Sequence, residues 1–91
     1  MQNDHQKPDP RIHLIVQTLS GTFEDDFNIH QTLDHVVQRT FTKLHITPAP
    51  GEVWELRLGD QVLDPKLTIA QAGVPDGAKL KLAPRESGGG A

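Results

Sequence analysis

Few residues in this chain of 91 could do chemistry. There is no cysteine, which removes disulfides, thiolate zinc sites and a cysteine nucleophile together. The histidines are His5, His13, His30, His35 and His45. His35 and His45 can share one side of a helix, but they would stand about three turns apart, too far to converge on a metal. Asp25 and Asp26 have no general-acid partner nearby and read as a solvated edge. Ser20 and Ser87 have no positioned base. What remains is the sequence "PRESGGGA", in which Gly88, Gly89 and Gly90 precede Ala91. It is not a phosphate loop, because no strand leads in and no helix comes after it. Taken alone, such a run reads as a linker or a flexible end.

Composition narrows the classes further. Ninety-one residues make one small domain with a single core and little room for a deep catalytic cleft. Hydrophobic content of 35% and charged content of 23% are those of a globular chain. A net charge of -3 argues against a nucleic-acid partner, which would need a basic face. No apolar run reaches the ~20 residues that span a bilayer, and "MQNDHQKPDP" lacks a signal-peptide core. The expectation is a cytoplasmic monomer with no membrane or nucleic-acid partner.

Residues 1–10 are polar and contain Pro8 and Pro10, so they read as a disordered arm. "RIHLIVQTL" alternates with period two and reads as a strand. "LSGT" is turn chemistry, with Gly21 free to take positive φ. "TFEDDFNI" comes next as the second strand of a hairpin, where Asp25-Asp26 suggests a bulge or an exposed edge. Thr32 is a candidate N-cap for a helix over 32–45, whose apolar face is Leu33, Val36, Val37, Phe41 and Leu44. "TPAPG" (47–51) is expected to stop it. "EVWELRL" puts Trp54, Leu56 and Leu58 on one face and Glu55 and Arg57 on the other. A turn at Gly59-Asp60 leads to a short strand through Val62 and Leu63. Thr68 caps a single helical turn that Gly73 stops. The last strand points Leu80 and Leu82 inward and Lys79 and Lys81 outward. The fold class is α+β: a mixed sheet of four to five strands gripping one helix, over residues 11–84, with residues 85–91 as a flexible tail.

Over most of 12–90 the chain resembles ubiquitin. The resemblance rests on "QTLSG" at the first turn, the helix at 32–45, "LGDQVLDPKLTIAQAGV" and "GAKLKLAPRESGG". It implies the β-grasp roll of ubiquitin-like protein modifiers, and its departures point to a divergent bacterial relative. In such modifiers the C-terminal glycine carboxylate is the reactive group. An activating enzyme adenylates it with ATP, a conjugating enzyme carries it onward, and it ends on a target protein. ATP belongs to that enzyme, so this chain needs no cofactor and is not itself an enzyme. By the same resemblance the conjugation tail is Gly88, Gly89 and Gly90, with Ala91 removed by a processing and deconjugating peptidase after Gly89 or Gly90. Residues 84–89 can extend on the order of 20 Å. Arg85, four positions before Gly89, would be the charged handle for the activating enzyme.

The resemblance also implies a recognition surface. Its matching positions are Leu19 at the first turn, Ala83 on the last strand, and Arg57 on the third, or Leu56 if the register shifts by one. With Arg57 there, the patch is more polar than ubiquitin's, and readers of ubiquitin would bind it poorly. Positions matching linkage lysines hold Gln17, Thr22, Asp60 and Asp76, so ubiquitin-type chains are not expected. Of Lys7, Lys43, Lys66, Lys79 and Lys81, Lys7 is the most accessible acceptor. The leading function is thus a modifier precursor, with antiphage defence as the bacterial setting that the resemblance implies. The alternatives are a sulfur carrier ending in a thiocarboxylate and a ubiquitin-like interaction domain that is never conjugated.

Overall fold

The computed structural model describes residues 10–85. Strand β1 (Arg11–Thr18) and strand β2 (Gly21–Asn28) form an antiparallel hairpin closed by Leu19 and Ser20. Gly21 takes φ 132°, a value that side chains disfavour, so the glycine of "LSGT" is a backbone requirement. Thr18 Oγ1 reinforces the turn, donating to the Gly21 carbonyl at 2.9 Å and accepting from the Ser20 N–H at 2.9 Å.

Helix α1 spans Leu33–Leu44. Thr32 caps it, its hydroxyl accepting from the His35 N–H at 3.2 Å. The next two free amides, Leu33 and Asp34, donate to the carbonyls of Leu67 (2.9 Å) and Pro65 (3.0 Å). At the other end the expectation fails in its mechanism. The helix stops before the prolines of "TPAPG", because His45 turns left-handed (φ 57°, ψ 42°). The Ile46 N–H then bonds back to the Phe41 carbonyl at 2.9 Å, which closes the last turn.

Strand β3 (Trp54–Leu58) and strand β4 (Gln61–Leu63) make a second hairpin. Helix α2 (Ile69–Ala72) is one turn, held by a reciprocal capping box between Thr68 and Gln71 and ended by Gly73 at φ 72°. Strand β5 (Ala78–Pro84) completes a five-stranded sheet in the order β2-β1-β5-β3-β4. Among these strands only the β1–β5 pair is parallel; the others are antiparallel. The first and last strands, both rich in apolar residues, are therefore interior together with β3, and β2 and β4 form the edges.

The inner face of the sheet contributes Leu14, Val16, Phe23, Phe27, Leu56, Leu63, Ala78, Leu80 and Leu82 to the core. Helix α1 covers that face with Leu33, Val36 and Val37. Phe41 and Leu44 lie only partly buried, at the end of the stripe. Thr40 is outside the apolar face expected from sequence, yet it is 0% exposed. Its hydroxyl donates to the Val36 carbonyl at 2.8 Å, which lets a polar residue sit in the core.

The Asp25-Asp26 pair makes no bulge: the β1–β2 register runs unbroken from Arg11↔Asn28 to Thr18↔Gly21. β2 is an edge strand, and the two carboxylates point to opposite faces. Asp25, on the helix side, accepts from Arg39 at 3.0 Å. The Asp26 N–H and that guanidinium hold its carboxyl below the usual range.

Leu80 is 0% exposed and lies in register between Val16 and Leu58. Leu80→Ala should cost about 2–5 kcal/mol of unfolding free energy. Urea denaturation followed by Trp54 fluorescence measures this, and an unchanged midpoint would place the core elsewhere.

Candidate interaction face and the root of the tail

The outer face of the sheet is where alternation places every side chain that does not enter the core. Across it, from β2 to β4, run Glu24 and Asp26, then His13, Ile15 and Gln17, then Lys79, Lys81 and Ala83, then Glu55 and Arg57, then Val62. The face is charged rather than apolar, and its charge is sorted into two fields.

The β2 side is acidic and centred on His13. Its Nε2 lies 2.8 Å from Glu24 Oε1 and its Nδ1 2.8 Å from Asp26 Oδ1. The His13 backbone N–H also donates to Asp76 Oδ1 at 2.7 Å. Carboxylates only accept, so both ring contacts are hydrogen bonds only when the imidazole carries two protons. The bonds to Glu24 and then Asp26 accordingly raise the His13 pKa above its ordinary 6.5.

The β3–β5 side is basic. Arg57 and Lys81 are opposite each other in register, and Arg85 comes directly after the end of β5. One carboxylate, Glu55, sits among them. Its Oε1 accepts from Arg57 Nη2 at 2.9 Å, and its Oε2 accepts from Arg85 Nε at 2.8 Å. Bonds from Arg85 and then Arg57 keep Glu55 below the usual carboxylate range. Arg85 is also tied by its backbone, since its N–H donates to the Val53 carbonyl at 2.6 Å. The root of the tail is thus a two-point attachment to β3 and the residue before it.

Each residue that sequence put on the recognition surface has a definite place. Leu19 is 99% exposed at the tip of the first hairpin. Arg57 faces outward, while Leu56 is 3% exposed in the core, so the one-residue shift does not occur. Ala83 is exposed on β5 and links two depressions. One, a shallow basin of about 460 Å³, is lined by Glu55, Arg57, Lys81, Ala83, Pro84 and Arg85. The other adjoins it and adds Gln17, Thr18, Leu19 and Leu82 to Lys81 and Ala83. Lys81 and Glu55 are the residues that sequence reasoning did not assign to this surface. Their period-two placement beside Ala83 and Arg57 was the available signal. Gly88, Gly89, Gly90 and Ala91 lie outside the described residues, as does the arm before Pro10.

A groove of about 380 Å³ on the other side of β3 runs between α1 and β4. Phe41 and Trp54 form part of its lining, packed edge-to-face at 5.1 Å. Among the described residues no group of side chains could hold a metal ion, and no helix is long and apolar enough to cross a membrane.

A helix gripped by a five-stranded mixed sheet with this strand order, and a charged outer face beside an exposed hairpin tip, defines a ubiquitin-like β-grasp domain. Solved structures agree on the fold. A designed protein based on ubiquitin superposes with a TM-score of 0.71 at 20% identity, covering 92% of this chain and all (100%) of that one. A structure described as molecular mimicry of SUMO that promotes DNA repair gives 0.74 at 16%, covering 87% of this chain and 98% of that one. The N-terminal ubiquitin-like domain of the 4931431F19Rik protein gives 0.67 at 17%, covering 92% and 84%. The family model of the TUG ubiquitin-like domain matches residues 27–82, and the chain belongs to that family. No curated protein sequence matches it.

The His13 geometry makes stability depend on pH with a definite sign. Its pKa is higher folded than unfolded, so its contribution is complete below about pH 6.5 and fades as pH rises through the folded value. Wild-type thermal stability relative to His13→Gln should therefore be greater at pH 5.5 than at pH 8.5. A histidine ring NMR titration should place the His13 midpoint above its ordinary 6.5, and a midpoint at or below that value would refute the paired ring contacts.

Proposed function

We propose that this chain is a ubiquitin-like modifier precursor, a substrate for conjugation rather than a catalyst. One observation carries the reading: a domain of the ubiquitin-like class is followed, three residues after Arg85, by Gly88-Gly89-Gly90. β5 is the central strand of the sheet and ends at Pro84 on its margin. Glycines let a backbone approach a nucleotide-bearing enzyme closely. Processing after Gly89 or Gly90 removes Ala91. The exposed carboxylate is then adenylated with ATP by an activating enzyme, transferred through a conjugating enzyme, and joined to a target protein. Arg85 presents a guanidinium at the base of the thread. Its pairing with Glu55 means that an enzyme using this handle must compete with that carboxylate or bind the pair together. A bacterial conjugation system, with antiphage defence as its setting, is the context we propose.

A second reading is a ubiquitin-like interaction domain whose tail is never activated. Membership of the TUG ubiquitin-like family supports it, as does the anchored state of Arg85. Under this reading the outer sheet face does the work alone.

Intact mass spectrometry of the protein from cells that also express its genomic neighbours separates these. The modifier predicts loss of Ala91, with or without Gly90, together with heavier adducts on other proteins. Replacing Gly88 and Gly89 by Val should abolish those adducts while the melting temperature stays the same. A mass change of sulfur for oxygen would indicate a sulfur carrier instead, and an unprocessed mass with no adducts would favour the interaction domain.

A further inference from the structure

The basic half of the outer face contains a contradiction that folding alone does not require. Arg57 on β3 and Lys81 on β5 are direct cross-strand neighbours, an arrangement of like charges that destabilises a sheet. Both strands are interior to the sheet, so neither residue can leave the other without disturbing the core registers beneath. Arg85 adds a third cation to the same basin, against the single carboxylate of Glu55. This concentration occurs on a chain whose net charge is -3, so it is a local feature and not a reflection of composition. Positions that oppose stability are expected where a surface is kept for binding.

The geometry points to a docking site for an extended acidic peptide segment of a partner protein, with one apolar side chain at one end. The carboxylates would lie over Arg57, Lys81 and Arg85, relieving the repulsion that the free domain carries. The apolar side chain would rest in the adjoining depression against Leu19 and Ala83, which shares Lys81 with the basin. Charge complementarity selects this occupant: three cations face one carboxylate, and a basic or neutral segment would leave them uncompensated. The acidic field around His13 bounds the site on the β2 side and repels a peptide in any other lateral register. The inference deepens the interaction surface of a ubiquitin-like domain and does not depend on activation of the tail.

The test is fluorescence anisotropy on the full 91-residue chain. The probe is a labelled decapeptide carrying a leucine followed by four alternating glutamates and aspartates. Lys81→Glu should weaken binding by about tenfold or more while raising the melting temperature, because Arg57 gains an opposite charge. Lys66→Glu, an equal charge change away from this face, should leave affinity within about twofold. Leu19→Ala should weaken binding without altering its salt dependence. The proposal is overturned if Lys81→Glu binds as wild type, or if the lysine-for-acid version of the peptide binds equally well. It is also overturned if vesicles of phosphatidylserine or a single-stranded oligonucleotide compete at lower concentration than the unlabelled peptide. Because the assay uses unprocessed protein without ATP or other enzymes, a negative result leaves conjugation untouched, and absence of adducts in cells leaves this site untouched.

Discussion

The parallel pairing of β1 with β5 is the constraint on which the rest of this molecule depends. Leu14 and Val16 stand beside Ala78 and Leu80, so residues more than sixty positions apart in sequence form the centre of one sheet. Everything between them must then lie on one side of that pair or the other. The β1–β2 hairpin extends the sheet in one direction and the β3–β4 hairpin in the other, while α1 crosses the inner face. Because so much of this contact is long-range, the centre of the sheet pays its loop-closure entropy before it gains its burial. The same pairing decides where the chain leaves the body. β5 runs parallel to β1, so its end, with Arg85, comes out beside the first hairpin and Leu19, and not beside the start of the domain.

Much of this was legible because the local signals agreed with one another. Period-two alternation in "RIHLIV" and "AKLKLA" assigns inner and outer faces correctly, down to Lys79 and Lys81 outside and Leu80 and Leu82 inside. Thr32 and Thr68 cap the helices expected of them, since a threonine before an apolar run has few better uses. What was not legible involves residues whose role is set by a distant partner or by the backbone. Thr40 reads as polar and becomes core because its hydroxyl returns to its own helix. His45 ends α1 by adopting a backbone conformation that glycine or asparagine would have announced and histidine does not. Asp25 and Asp26 look like one acidic pair, yet pleating sends one to Arg39 and the other to His13. Arg85 reads as a loose handle, and only the pairing of β3 with β5 brings it to Glu55.

Fold and function separate cleanly here. Domains built on one roll differ mainly in the pattern on the outer face and in the segment attached to the last strand. In this chain the face presents sorted charge instead of an apolar patch, and the residues that sort it belong to strands whose inner positions are buried. The register therefore fixes the spacing of the charges as firmly as it fixes the core. The backbone positions of the charges are therefore preformed, while the long side chains of Arg57, Lys81 and Arg85 keep the rotamer freedom that any contact would have to restrict.

The starts of the two helices carry a consequence of a mechanical kind. Amides of Leu33 and Asp34 reach across to carbonyls of Leu67 and Pro65, and amides of Ile69 and Ala70 reach back to Gln31 and Ile29. The segment leading into each helix thereby holds the other helix's first turn, with the Thr32–Thr68 bridge between them. Neither end can fray alone: tension applied to the 64–68 loop is delivered straight to the first turn of α1, so these two distant stretches of chain give way as one piece.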